Sequence, residues 1–271
     1  MTLPVILWFR FDLRLADNPA LAEAAVSGRP VVPVFILDDE SPGRWRLGGA
    51  SRWWLAGSLA ALDESLKRLG SRLILRRGEA GATLAALARD AGATEVLCNR
   101  VHEPWAAARD ERVSTTLAEN GIGFRAFEAS LLFPPETMPG PKGVGYRVFT
   151  PFWKACLAKP APSLPMPAPK RLVAPERWPG SDVLDSWRLR PTKPDWAAGL
   201  RASWTPGELD AGRGGRAGPA GLISRRSASR LRRGPRPAGP LGNLAPLAAP
   251  EVWGDKPAPD LACGDCPHGG R

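Results

Sequence analysis

Three polar residues stand where a bound ligand would be expected. Arg10, Asp38 and Asn99 each come directly after, or at the end of, a short run of strand-forming apolar residues. An arginine offers a planar cationic fork, a carboxylate accepts hydrogen bonds, and an amide both donates and accepts them. Because the carboxyl ends of parallel strands hold the ligands of open α/β sheets, we treat these residues as candidates for one binding site.

Two common nucleotide-binding motifs are absent from the sequence. No G-x-G-x-x-G follows the first apolar segment, which argues against an ordinary dinucleotide-dependent dehydrogenase. No G-x-x-x-x-G-K-[ST] occurs either, which argues against a P-loop nucleotidase. From these residues alone the class of ligand stays open.

The cysteines indicate neither a disulfide framework nor a metal site. The chain has four cysteines, and they are too few and too scattered for a network of bridges. Cys263 and Cys266, with His268, look like half of a zinc site, but structural zinc needs four ligands and no second pair lies near. We expect free thiols, no bound metal and a reducing compartment.

The elements that position the candidates alternate between strand and helix over residues 1–130. Asp17-Asn18-Pro19 supplies a helix start, and Ser51 can cap a long helix whose leucines recur three and four residues apart before Gly70. Further strands are predicted at residues 72–75, 95–98 and 124–127, and further helices at residues 80–91 and 103–119. This alternation predicts an α/β fold with a doubly wound, five-stranded, parallel, Rossmann-like sheet.

The last quarter of the chain differs in composition from the rest. Residues 209–271 hold ten Lys or Arg against five Asp or Glu, half of the net charge of +10, together with twelve Gly, nine Pro and one aromatic residue. Such a segment buries too little apolar area to offset the entropy of ordering, so we expect a disordered basic tail. The basic run at residues 225–233 predicts at most weak, non-specific binding of nucleic acid.

The chain shows no signal for membrane insertion or secretion. No apolar run approaches the roughly 18 residues of a membrane span, and no basic segment precedes the first apolar stretch. We therefore expect a cytoplasmic protein with no membrane partner, and a monomer.

Five ordered segments resemble the photolyase/cryptochrome family. Residues 7–20, LWFRFDLRLADNPA, are similar to the family's opening motif, WFRxDLRxxDNPAL. The other four matches are ASRWWL (50–55), NRVHEP (99–104), GYRVFTP (145–151) and WTPGE (204–208). Together they extend over about 200 residues, so the chain is identified as a member of this family.

The resemblance implies that residues 1–130 bind a light-harvesting antenna chromophore. Arg10 and Arg52 are expected to face an anionic chromophore, Asp38 to accept hydrogen bonds from it, and Asn99 and Glu103 to contribute from the fourth loop. The antenna could be of the folate, deazaflavin or flavin type. At the variable position directly after the first arginine of the opening motif the family commonly has another arginine, and this chain has Phe11 there.

Aromatic residues outside the candidate set are assigned to packing. Several tryptophans of the first domain are expected in the core or in the pocket wall: Trp8, Trp45, Trp53, Trp54 and Trp105. Residues 131–208 are expected to form an irregular connection with a short helix near residues 150–158, whose Phe149, Phe152 and Trp153 are predicted to be core.

The FAD-binding domain of the family is not readable after residue 208. Its signature resembles TSRLSPHLRFGEIS, and residues 243–258, NLAPLAAPEVWGDKPA, permit TSRLSPHLRFGEISPR when the codons are shifted by one base. The same shift lets residues 223–238 encode FLDEALAGYAEDRDRP, which resembles the segment before that signature. We therefore interpret residues 209–271 as a misframed remnant, with the frame change between residues 208 and 223.

In its intact form such a protein would be a DNA photolyase. The resemblance implies that antenna energy reaches FAD, which donates an electron to a flipped-out pyrimidine dimer in damaged DNA and splits it. Without an FAD domain this chain is predicted to be inactive and without catalytic residues. The alternatives are a cryptochrome-like signalling module and a non-functional truncated product.

Overall fold

The computed structural model describes residues 2–140 and 143–203. Within these ranges five strands form one sheet: β1 Val5–Phe9, β2 Val31–Leu37, β3 Ile74–Arg77, β4 Glu95–Asn99 and β5 Gly123–Phe127. The helices are α1 Pro19–Val26, α2 Gly49–Arg68, α3 Ala80–Ala91, α4 Pro104–Glu119, α5 Phe149–Leu157 and α6 Ala198–Ser203. All neighbouring strands are parallel, in the order β3-β2-β1-β4-β5. The predicted doubly wound, five-stranded parallel sheet is confirmed.

The strand order reverses between β1 and β4. The chain runs from β1 outward to β2 and β3, and then returns to add β4 and β5 on the other side of β1. Val5 is in register with Val31 on one side and with Glu95 on the other. The loops after β1 and β4 therefore diverge above a crevice, which is where open α/β sheets bind ligands.

Helices cover both faces of the sheet. Val5, Leu7 and Phe9 of β1 pack in a core with α1 and α2, whereas Ile6 and Trp8 pack in a second core with α3 and α4. Because both faces are buried, the central strands are continuous apolar runs. All seven residues of β2 are buried.

The helix that carries one wall of the site begins earlier than the sequence predicts. The Asn18 side chain caps α1 by accepting from the Leu21 amide at 3.0 Å, as the Asp-Asn-Pro pattern indicates. Helix α2, however, begins at Gly49 and not after Ser51, because Gly48 is the extended residue that precedes it. Glycine has no side chain, so the start of α2 has no side-chain cap and depends on the backbone conformation of Gly48.

Part of the connection after β5 packs against the sheet and is not merely a linker. The Val31 amide donates to the Val173 carbonyl at 2.8 Å, and the Leu172 amide donates to the Leu69 carbonyl at 3.0 Å. Leu172 and Trp187 are buried in the core on the α1 and α2 side. These contacts extend the hydrophobic layer beyond residue 130.

The expected core position of the α5 aromatics is wrong. Helix α5 lies where the sequence predicts a helix near residues 150–158, but Phe149 is 71% exposed, Trp153 42% and Phe152 37%. Their apolar pattern finds no covering element among the described residues. Phe149 and Trp153 instead stack on each other, with ring centroids 6.2 Å apart.

The membrane expectation can be compared with the described residues, whereas the expectations for the tail cannot. No helix there is both long and apolar enough to cross a membrane. The predicted disordered tail, the basic run at residues 225–233 and the pair Cys263 and Cys266 all lie outside the described residues.

Candidate functional site

Two adjoining cavities open at the carboxyl ends of β1 and β2, and together we call them the carboxyl-end pocket. The larger, about 460 Å³, lies against α2 and is mainly apolar, with Leu13 and Trp53 in its wall. The smaller, about 50 Å³, has a more polar wall that includes Asp38 and Arg109. Arg10 lines both cavities. The pocket therefore joins an apolar chamber to a small charged one.

Arg10 is held at the junction with one donor left over. It is 5% exposed, and its Nη1 donates to both carboxylate oxygens of Asp110, at 2.8 and 2.6 Å. Its Nη2 donates to the Asn99 carbonyl, and its guanidinium lies 5.0 Å from the centre of the Trp8 ring. Its Nε is buried and has no hydrogen-bond partner among residues 2–140 and 143–203. A buried donor of this kind is stabilised when a ligand supplies an acceptor.

Arg109 is a site residue that the sequence reasoning missed. Its guanidinium lies 4.7 Å from the Trp8 ring and 5.2 Å from the Trp105 ring, and it donates to Asp110 through Nη2 at 3.0 Å. Burial lowers the pKa of Arg109, and the Asp110 carboxylate opposes that shift. The available signal was the spacing of four between Trp105 and Arg109, which places both on one face of a helix.

Asp38 lies in the wall of the smaller cavity and also shapes the loop after β2. Its Oδ1 accepts from the Glu40 amide at 3.0 Å and from the Ser41 amide at 2.9 Å, and its Oδ2 accepts from the Ser41 hydroxyl. This turn leads into the 3₁₀ turn Gly43–Trp45, which brings Trp45 to the cavity. Asp38 thus both borders the pocket and stabilises the turn that leads to Trp45.

Asn99 is buried below the pocket and belongs to the wall of neither cavity. Its Nδ2 donates to Asn18 Oδ1 at 2.7 Å and to the Asp12 carboxylate, and its Oδ1 accepts from the Ala20 amide at 3.0 Å. The residue is 2% exposed, and both the nitrogen and the oxygen of its side-chain amide form hydrogen bonds within the protein. It ties the end of β4 to the start of α1.

Arg52 and Glu103 also lie outside both cavity walls. Arg52 forms an ion pair with Asp39 and donates through Nε to the Leu47 carbonyl at 3.0 Å, so it holds the loop after β2. Glu103 is exposed and precedes α4 without a side-chain capping bond. Of the five predicted residues, the structure brings Arg10 and Asp38 to the pocket.

Aromatic side chains complete the pocket wall. Phe11, at the position where the family has an arginine, is 60% exposed and makes an edge contact with Trp105 at 6.3 Å between ring centroids. Trp45 is 65% exposed and also lines the smaller cavity. Rings arranged in this way suit a flat aromatic ligand.

Comparisons with known proteins identify relatives of this chain. Residues 5–170 match the family model for DNA photolyase. The chain is 46% identical over 210 residues to the deoxyribodipyrimidine photo-lyase of Agrobacterium fabrum, which covers 78% of this chain and 43% of that protein. It is 40% identical over 171 residues to Cryptochrome-1 of Arabidopsis thaliana, which covers 62% of this chain and 25% of that protein. The chain thus spans less than half the length of these relatives.

Solved structures show the same likeness. A class III photolyase of Agrobacterium tumefaciens superposes with a TM-score of 0.72 at 44% identity, over 78% of this chain and 43% of that one. A photolyase of Sulfolobus tokodaii, solved with two FAD molecules and described as implying a novel light-harvesting cofactor, gives 0.57 at 26% identity, over 70% and 42%. With the family model matched over residues 5–170 and these relatives beside it, the chain belongs to the DNA photolyase family.

Proposed function

We propose that the α/β domain of this chain binds a planar, light-absorbing antenna chromophore in the carboxyl-end pocket. The observation that carries the proposal is the buried Arg10 Nε, which has no acceptor within residues 2–140 and 143–203, in a residue that lines both aromatic cavities. A heterocyclic ligand with an acceptor at its edge would satisfy that donor.

The residues of the pocket fit such a group. The larger cavity, about 460 Å³, is within the range of small-ligand sites, which is about 300–1,000 Å³. The guanidinium groups of Arg10 and Arg109 can face an anionic edge of the ligand, and Asp38 can accept from a ring N–H or hydroxyl. When bound, the chromophore would absorb light and pass the excitation energy to a flavin.

The pocket residues divide into two roles. Arg10, Arg109 and Asp38 would orient the chromophore's polar edge, while Phe11 and Trp45 would cover its ring and exclude water. Asn99, Arg52 and Glu103 remain predicted ligand contacts. The hydrogen bonds of Asn99 and Arg52 to the protein favour a role for these two in holding the loops around the pocket. The antenna class stays open between folate, deazaflavin and flavin, and a titration with each class distinguishes them.

The activity of the whole protein is proposed at the level of the family. In the intact form we infer light-driven repair of pyrimidine dimers in damaged DNA, with FAD in a separate helical domain. The likeness to Cryptochrome-1 of Arabidopsis thaliana supports photoreception without repair as the second candidate. For the 271-residue chain we propose chromophore binding alone, in a cytoplasmic monomer without FAD or repair activity.

An absorption spectrum of the purified chain tests chromophore binding directly. The protein is then titrated with a folate, a deazaflavin and FMN, and the dissociation constants are measured by fluorescence. We expect one class to bind, and we expect Trp45→Ala to weaken it about tenfold, because stacking on one aromatic ring contributes about 1–3 kcal/mol. Trp153→Ala is the matched control, since Trp153 is also partly exposed but lies on α5.

Two outcomes would count against the proposal. One is a chain that carries no chromophore and binds none of the three classes. The other is an equal loss of affinity in the Trp45 and Trp153 variants. Stoichiometric FAD with light-dependent dimer repair in the purified chain would refute the separate expectation that this chain is inactive.

A further inference from the structure

A third cavity, which we call the linker cavity, lies between helix α2 and residues 184–193. Its volume is about 620 Å³, and its wall has no residue in common with the carboxyl-end pocket. Ala56 and Leu189 contribute apolar surface to it, while Arg188, Arg190 and Lys193 contribute positive charge. The size is that of a site for a small organic ligand.

The three cations of the linker cavity are not neutralised by the protein. Their side chains form no hydrogen bond or ion pair with any residue of the described ranges. Asp185 is the one acidic residue in the cavity wall, so the wall carries two net positive charges. Unpaired cations around a concave surface raise the local concentration of anions.

The loop that presents these cations is anchored in the core. Trp187 and Leu189 are 6% and 5% exposed, and they alternate with Arg188 and Arg190, which are exposed. The Trp187 ring packs 6.2 Å from the Phe35 ring, and its Nε1 donates to Asp182 at 3.1 Å. The backbone that carries the two arginines is thus anchored on both sides, and both residues line the linker cavity.

Arg188 also has an unusual backbone conformation. Its φ of 50° and ψ of 41° lie in the left-handed region, which only one other non-glycine residue of the described ranges shares. Such strain tends to persist where a residue serves a ligand site.

We propose that the linker cavity binds a small phosphorylated molecule, with Arg188, Arg190 and Lys193 holding its phosphate and the apolar surface contacting its organic body. Arginine forks match phosphate oxygens in pairs, and lysine adds a point charge. A concave site with an apolar floor favours a small ligand over a nucleic-acid backbone. This inference is independent of the chromophore proposal, because the linker cavity shares no wall residue with the carboxyl-end pocket.

Calorimetric titration of the full chain with AMP, and with adenosine as the unphosphorylated control, tests the proposal. At about 150 mM salt, where long-range attraction is screened, we expect AMP to bind and adenosine to bind at least about tenfold more weakly. Arg190→Gln and Lys193→Gln should each weaken AMP binding about tenfold, since each removes a charge-assisted hydrogen bond. Arg188→Gly should do the same with an unchanged melting temperature, because glycine adopts the left-handed conformation freely.

Two control variants separate this cavity from general basicity. Arg177→Gln removes an exposed arginine outside the cavity, and the double variant Arg232→Gln, Arg233→Gln removes charge from the basic run; both should bind AMP as the parent chain does. The proposal is overturned if the parent chain does not bind AMP, or if the controls weaken binding as much as Arg190→Gln. It is replaced by a nucleic-acid surface if a short single-stranded DNA binds through the same three cations and AMP does not.

Discussion

Nη1 of Arg10 donates to both carboxylate oxygens of Asp110, at 2.8 and 2.6 Å, and so joins the end of β1 to helix α4. The two side chains are 3% and 14% exposed. Removing one partner of a buried pair leaves the other charge uncompensated, which costs about 3–5 kcal/mol. We therefore expect Asp110→Asn to lower the free energy of unfolding in urea by about 3 kcal/mol.

The matched control for that variant is Asp90→Asn. Asp90 is exposed near the end of helix α3, so the same substitution should change the free energy of unfolding by no more than about 0.5 kcal/mol. Equal losses in the two variants would show that the Arg10 and Asp110 pair has no special role in stability.

Asn99 should act through stability more than through ligand affinity. Asn99→Ala removes the acceptor of the Ala20 amide at the start of α1 and a donor to Asp12. Each buried group left unpaired costs about 1–3 kcal/mol, so we expect a loss of at least about 2 kcal/mol in urea unfolding. The affinity for the chromophore should change by a smaller free energy than the stability does.

Asn120→Ala is the control for the Asn99 variant. The Asn120 side-chain amide donates to the Thr116 carbonyl at 2.8 Å. Because this bond lies at the exposed end of α4, water can replace it when the side chain is removed. We expect a loss of less than about 1 kcal/mol. If Asn99→Ala instead abolishes chromophore binding in a chain of parental stability, Asn99 is a ligand contact as the sequence predicts.

The sheet and part of the pocket could be predicted because the signals are local. A strand buried on both faces is a continuous apolar run, as Val31–Leu37 is, and the residue that follows it must lie at the carboxyl edge. This reasoning located Arg10 and Asp38 without any knowledge of packing. The start of α2 was predicted less well. Ser51 has a side chain that can cap a helix, but the extended backbone at Gly48 sets the start of the helix.

The remaining features depend on contacts between distant elements. Arg109 and Asp110 look like solvated charges of a surface helix, and only the packing of α4 shows that Arg109 is buried and Asp110 half-buried beside Arg10. The α5 aromatics show the opposite case. Their pattern is that of a packed face, but Phe149 is exposed because no described element covers it.

Cys98 should make stability fall at alkaline pH. Burial raises the pKa of this thiol from 9.0 to about 12, so between these values the unfolded chain has lost the proton that the folded chain keeps. Stability from this group is therefore complete below pH 9.0 and declines as pH rises toward about 12, by at most about 1.4 kcal/mol per pH unit.

Urea unfolding of the parent chain and of Cys98→Ala, near neutral pH and at alkaline pH, measures this contribution. The parent chain should lose more stability between the two conditions than the variant does. Cys156→Ala is the control, because Cys156 is only partly buried and its variant should keep the parental pH dependence. An identical decline in parent and Cys98→Ala chains would show that other groups cause the alkaline loss.

The composition of residues 209–271 leads to a prediction about the gene. With a shift of one base, Trp253 before Gly254 must yield glycine, and Glu251 before Val252 must yield lysine or arginine, which are the residues that SPHLRFGE requires at those places. We expect the nucleotide sequence to encode that signature in the shifted register, with the change between residues 208 and 223.

A gene with the shifted register restored should produce a chain that binds FAD. Flavin absorbance in the purified protein is the measurement, and the 271-residue chain expressed in parallel is the control. The physical reason is that the shifted register is expected to encode the segment that resembles the family's FAD-binding signature. A nucleotide sequence in which no register encodes SPHLRFGE contradicts the idea, and a restored chain without flavin contradicts the expectation that the shifted segment completes an FAD site.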